Sequence, residues 1–129
     1  MHMPVNSQDF LGFAKDCHQR NDEIGYRNAI ARSYYGAYHH VLPCMVNGPK
    51  DSHQGLINYL QGDASRGSEV YEARYLKGIS FILSQLKAQR IVADYRLDQS
   101  VTSKQSEVAI LTTERLFAKC TEMLKSRAS

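Results

Sequence analysis

The chain contains no run approaching the roughly 20 apolar residues that a membrane-spanning helix needs, so no such helix and no membrane contact are expected. Its first residues, Met1, His2, Met3 and Pro4, carry neither the basic flank nor the apolar run of a secretion signal. A cytoplasmic location is expected, with residues 1–5 either disordered or left over from cloning. The three cysteines, Cys17, Cys44 and Cys120, are odd in number and form no Cys-x-x-Cys pair. That argues against a disulfide framework and against a thiolate metal site, and for buried free thiols.

Metal chemistry has little to draw on. His39 and His40 are adjacent, about 100° apart on a helix, and neither has a histidine or carboxylate four residues away. No His-Glu-x-x-His is present, so neither a metal nor a cofactor is expected. The one glycine-rich stretch, Gly62 to Gly67, lacks the Gly-Lys-Ser/Thr ending of a phosphate-binding loop, and no Gly-x-Ser-x-Gly marks a serine nucleophile. A polybasic arm is missing too. The net charge of +3, sixteen basic against thirteen acidic residues, permits contact with nucleic acid without requiring it. Lys119, Lys125 and Arg127 read as a solvated helix end, where cations suit the helix dipole.

What the chain does have is helical periodicity. At 129 residues it is one domain's worth. A first helix is predicted from about Ser7 to Gln19, burying Phe10, Phe13, Ala14 and Cys17. After an Asn21–Asp22 turn, a second runs from about Asp22 to Leu42, stopped or kinked by Pro43. Asp51 and Ser52 cap a short helix over His53 to Leu60. Gly62 to Ser68 reads as a mobile loop, and Ser68 as the cap of a long helix to about Val92 that buries Tyr71, Tyr75, Ile79, Ile82, Leu83, Leu86, Arg90 and Ala93. Ser103 opens the last helix, to about Lys125, which buries Ala109, Ile110, Thr113, Leu116, Phe117, Cys120 and Leu124. The fold class expected is all-α: an antiparallel four-helix bundle with one additional short helix, in a single domain over residues 1–129.

The second helix carries the functional signal. Asn28, Arg32, Tyr35 and His39 fall in one polar stripe, while Ala29, Ile30, Ser33, Tyr34, Ala37 and Val41 face the other way. A central helix with arginine, tyrosine and histidine in register must pair those groups, open them to a cleft or place them at a subunit contact. Arg32 and Tyr35, one turn apart, can hold a phosphate or carboxylate between them, and histidine exchanges protons near neutral pH. Arg90 and Asp94, at i and i+4, are spaced for a salt bridge beside Tyr95.

At these residues the sequence resembles the HEPN family, small all-α domains of prokaryotic toxin–antitoxin and defence systems. Ala29-Ile-Ala-Arg32-Ser-Tyr34-Tyr35-Gly-Ala-Tyr-His39 is similar to the family's Arg-x-Tyr-Tyr-Ala-x-aromatic-His helix. Asp51-Ser52-His53-Gln-Gly-Leu56-Ile57 resembles its short helix with a histidine ahead of apolar residues, and Arg90-Ile-Val-Ala93-Asp94-Tyr95 its Arg-x-x-Ala-Asp-Tyr element. The resemblance implies a homodimer. In active members it also implies metal-independent endoribonuclease chemistry at the dimer cleft, in which an Arg-x(4–6)-His motif helps the RNA's 2′-hydroxyl attack the neighbouring phosphate.

The chain departs from that motif. After Arg90 it reads Ile-Val-Ala-Asp-Tyr-Arg-Leu-Asp, and no histidine follows anywhere. The spacing is met only by Arg32 and His39. The expectation is therefore an RNA-acting protein with Arg32, Tyr35 and His39 as catalytic residues and Asn28, Arg90, Asp94 and Tyr95 as substrate-binding or supporting ones. The alternative is a non-catalytic module that docks a nucleotidyltransferase-type antitoxin, with Tyr95 as the modified residue, or that binds a nucleotide phosphate.

Overall fold

The computed structural model describes residues 4–127, so residues 1–3 of the expected N-terminal remnant lie outside the described residues. The described residues form five α-helices: α1 (Ser7–Gln19), α2 (Glu23–Val41), α3 (His53–Gln61), α4 (Ala73–Tyr95) and α5 (Ser103–Arg127). Among the described residues there is no strand, and no helix is long and apolar enough to cross a membrane.

Local chemistry sets most of the helix starts. The Asn6 side chain accepts from Asp9 N–H while Asp9 reaches back to the Asn6 N–H, closing a capping box on α1. Asp22 accepts from Gly25 N–H at 2.9 Å, and Ser52 Oγ from Gly55 N–H at 2.8 Å. Thr102 and Gln105 cap α5 reciprocally. Between α1 and α2 the chain reverses at Asn21, whose φ of 62° is a left-handed conformation that asparagine tolerates. Pro43 does end α2, and the chain continues as one 3₁₀ turn, Leu42–Cys44.

Helix α2 is central, packing against α1, α4 and α5. Ala29, Ile30, Ser33, Tyr34, Ala37 and Val41 are all buried, as its periodicity requires. Gly25 and Gly36 let α1 come close: a methyl group at Gly25 would overlap the Cys17 carbonyl, and one at Gly36 would stand 3.3 Å from the Ser7 carbonyl.

Several expectations need correction. Phe13 is 55% exposed and Leu124 is 42% exposed; Leu11 and Met123 occupy the interior instead. Ser68 does not cap α4, which starts at Ala73 behind Glu72 with no side-chain cap. Residues 69–72 are held away from helix because Glu69 is turned inward, accepting from the Val46 and Asn47 N–H groups at 2.9 and 2.8 Å and from the Tyr59 hydroxyl. Tyr71, donating to the Cys44 carbonyl at 2.7 Å, pins the same segment. Tyr71 is thus buried from outside the helix, and α4 runs on to Tyr95 rather than Val92. The stretch read as a mobile loop contains a wide helical turn, Ala64–Ser68, with Ala64 buried.

Arg27 fixes the end of α4. It sits on the buried face of α2 with Ile30 and Tyr34, 5% exposed. Its guanidinium donates to the carbonyls of Val92 (3.3 Å), Ala93 (3.0 Å), Arg96 (3.3 Å) and Gln99, and pairs with Glu23 at 3.0 Å. Carbonyls at a helix C-terminus lack intrahelical partners, and one buried cation satisfies them here. Arg90, Asp94 and Tyr95 are thereby held in register with α2.

Candidate anion-binding site

The polar stripe of α2 lies on the part of the helix that its neighbours leave open. Asn28, Arg32 and Tyr35 are half-buried and His39 is exposed. Tyr35 is the hub. The Arg32 guanidinium carbon lies 4.8 Å from its ring centre and that of Arg90, reaching over from α4, lies 5.5 Å away. The rings of Tyr34 (5.7 Å), His53 (5.9 Å) and Phe10 (6.4 Å) complete the surround. Two guanidinium groups from different helices therefore meet one aromatic ring.

Neither arginine is adequately partnered. Among the described residues Arg32 makes no hydrogen bond or ion pair, and its buried Nε is without a partner. The Arg90 side chain is 12% exposed; Nη1 approaches Asp94 Oδ2 only to 3.7 Å, and its buried Nε has no partner. Beyond that Arg90 meets faces of Tyr34, Tyr35 and Tyr95, at 5.6, 5.5 and 5.9 Å. Cation–π contact offsets part of the desolvation of a guanidinium but leaves its directional donors unused. The two buried Nε atoms are what a bound oxyanion would satisfy.

His39 stands at the other end of the cluster, stacked on Phe10 (5.1 Å, 21°) and edge-on to Tyr38 (5.2 Å). It lines a cavity of about 610 Å³ with Val5, Phe10 and Pro43. Arg32 lines a separate cavity of about 200 Å³ with Val5, Asp9, Phe10 and Phe13, so one ring, Phe10, borders both. Asn28 is not brought into the cluster: its amide donates to the Ile24 carbonyl of its own helix at 2.9 Å. Asp94 makes the i, i+4 contact with Arg90 that its spacing suggests, and Tyr95 is 68% exposed at the end of α4.

His53, at the first position of α3, joins the cluster although the sequence pattern gives it no role. Its Nδ1 is 2.7 Å from the Tyr34 hydroxyl, and its ring stacks on Tyr38 at 4.0 Å and 25°. Burial and the positive charges of Arg90, Lys87 and His39 hold its basicity below that of a free imidazole. Tyr34 is wholly buried, and burial pushes its phenol far above its usual range despite Arg90, so it remains protonated. Lys87 joins the group through a 2.7 Å bond to Gln54, the neighbour of His53. The available signal for His53 was its place directly after the Ser52 cap, which fixes a first-turn side chain against whatever α3 meets.

Elsewhere the polar side chains are used structurally. His40 contacts Ser7 Oγ at 2.9 Å and stacks on Phe117, and His18 contacts Ser106 Oγ at 2.8 Å. A cavity of about 290 Å³ between α4 and α5 is lined by Val92, Val101, Val108 and glutamines, with Lys104 its only charge. Among the described residues no three His, Cys, Asp or Glu side chains converge as metal ligands would. All three cysteines are free, with Cys120 buried and Cys17 and Cys44 half-buried.

No family model, curated protein or solved structure matches the chain.

Proposed function

We propose that this chain is a HEPN-type protein that acts on RNA, taking a backbone phosphate between Arg32 and Arg90 beside the Tyr35 ring. The observation that carries the reading is the pair of buried guanidinium nitrogens, Arg32 Nε and Arg90 Nε, without a hydrogen-bond partner among the described residues, on two side chains that both meet the Tyr35 ring. A structure bears that desolvation cost where a ligand recovers it. Phosphate is the fitting anion because guanidinium forks match its oxygens, and exposed rings nearby suit stacking of unpaired bases.

The finer elements rest on the resemblance of the Arg32–His39, Asp51–Ile57 and Arg90–Tyr95 segments. They are an antiparallel four-helix bundle with α3 as the additional helix, a homodimer with the site at its cleft, and a cytoplasmic toxin–antitoxin or defence role. In catalysis Arg32 clamps the anionic phosphate, Tyr35 positions it and His39 transfers the proton, with no metal. Arg90, Asp94 and Tyr95 support the phosphate from α4. Incubating the protein with total RNA in EDTA, beside the Arg32→Ala/His39→Ala double variant, tests cleavage. Wild type should cut and the variant should not; equal, negligible cutting by both removes the nuclease.

A second reading is favoured by the missing histidine after Arg90 and by the exposure of Tyr95. The chain then binds without cutting and docks a nucleotidyltransferase-type antitoxin that modifies Tyr95. Intact mass of the protein co-expressed with the product of an adjacent reading frame carrying Gly-Ser-x(10)-Asp-x-Asp decides this: an unmodified mass, with the protein purifying alone, rejects it.

A further inference from the structure

We infer that His53 is the third member of this anion site, and that the site takes up a proton on His53 together with the phosphate group it binds. The inference rests on the phosphate-binding reading of Arg32 and Arg90 and adds the residue that couples it to pH.

The geometry fixes the state of His53 in the empty site. The Tyr34 hydroxyl is buried and His53 Nδ1 is the partner within its reach. A buried hydroxyl needs an acceptor for its proton, so Tyr34 O–H donates to Nδ1 and the ring proton sits on Nε2. Neutral His53 is thereby held as a donor, with its plane set by stacking on Tyr38. A second proton must go to Nδ1. There it displaces the Tyr34 proton and adds a charge beside Arg90 and Lys87 of α4 and His39 of α2. The carboxylates near this cluster are Asp94, drawn toward Arg90, and Asp51, beside Tyr38. Neither forms a bond to His53.

An oxyanion seated between Arg32 and Arg90 reverses that balance. Its negative charge offsets the cations that oppose protonation, so His53 becomes more basic when the site is filled. By linkage, the anion binds more tightly once His53 is protonated. His53 acts as a donor in both states, and no bond to the ligand is made or broken.

Sulfate is the first probe, because its charge is constant across the range in which histidine titrates. The His53 ring resonances, identified by their loss in His53→Gln, are followed by NMR against pH with and without sulfate. The His53 pKa should rise by about one unit, and sulfate should bind more weakly at pH 8 than at pH 5.5, by a factor approaching but not exceeding about tenfold. Long-range nitrogen spectra of the free protein should show the proton on Nε2. An oligoribonucleotide with hydroxyl ends and a nucleoside monophosphate form the second arm. A pKa rise with the former assigns the site to internal phosphodiesters, and with the latter alone to terminal phosphates. Sulfate that shifts Arg32 and Arg90 signals but leaves His53 titration unmoved overturns the inference while sparing the phosphate reading. Absence of any shift at the arginines overturns both.

Discussion

The Tyr34 hydroxyl lies 2.7 Å from His53 Nδ1, tying the most buried aromatic of α2, whose ring Arg90 meets at 5.6 Å, to the first residue of α3. Removing the hydroxyl leaves a Nδ1 that can take a proton freely. Tyr34→Phe should therefore raise the His53 pKa and cost about 1 kcal/mol of stability, the ordinary net value of such a bond. Histidine NMR and urea unfolding check the two parts separately.

Two arginines five residues apart on one helix should behave oppositely. Arg27 satisfies carbonyls at the end of α4, so Arg27→Met strands buried acceptors and should cost roughly 3 kcal/mol, lowering Tm by about 10 °C. Arg32 Nε has no hydrogen-bond partner among the described residues and its guanidinium meets only the Tyr35 ring, so Arg32→Ala should change stability by less than about 0.5 kcal/mol. Thermal unfolding of both variants reads this directly. A large loss for Arg32→Ala would mark it as part of the core.

Acid should weaken the fold before the carboxylates titrate. His40 and His53 are both held below the ordinary value of 6.5, by burial first and, for His53, by Arg90, Lys87 and His39 as well. The unfolded chain then takes up protons before the folded one does. The stability due to these groups is complete above about pH 6.5 and is lost as pH falls through their folded values. Tm measured from pH 8 to 5 should decline below about 6.5, and sulfate should slow the decline.

The thiols should react unequally. Cys44 is made more acidic by a hydrogen bond from Cys120, while the buried Cys120 thiol is pushed up by that same bond and by desolvation, and Cys17 is raised by burial. The thiolate is the reactive form, so iodoacetamide should label Cys44 first and Cys120 last, as peptide mass mapping would show.

The orientation of α2 was legible because its apolar and polar residues separate cleanly at helical spacing, and a helix with so wide an apolar arc has to be central. The Arg32–Tyr35–His39 stripe followed from the same pattern. Arg27 lies in register with Ile30 and Tyr34 and so places a cation on the apolar face, but apart from Glu23 its partners are backbone carbonyls 65 or more residues away, which the sequence pattern does not reveal. The start of α4 was misplaced for a similar reason. Ser68 has good capping chemistry, but inward-facing Glu69 and Tyr71 hold the next residues extended through contacts to residues 44–47 and Tyr59. Phe13 was assigned to the core by hydrophobicity alone, while the α1 interface takes Leu11 and Ala14. His53 belongs to the cluster only through tertiary contacts with Tyr34 and Tyr38, which periodicity within α3 does not carry.

The most direct measurement is fluorescence anisotropy of a labelled single-stranded oligoribonucleotide titrated with wild type, Arg32→Ala and Arg90→Ala, with Lys104→Ala as a control outside the cluster. Loss of one guanidinium–phosphate contact should weaken binding roughly tenfold for each of the two arginine variants, and the control should stay within about twofold. Equal affinity across all four proteins would contradict the assignment of the Tyr35-centred arginines to phosphate.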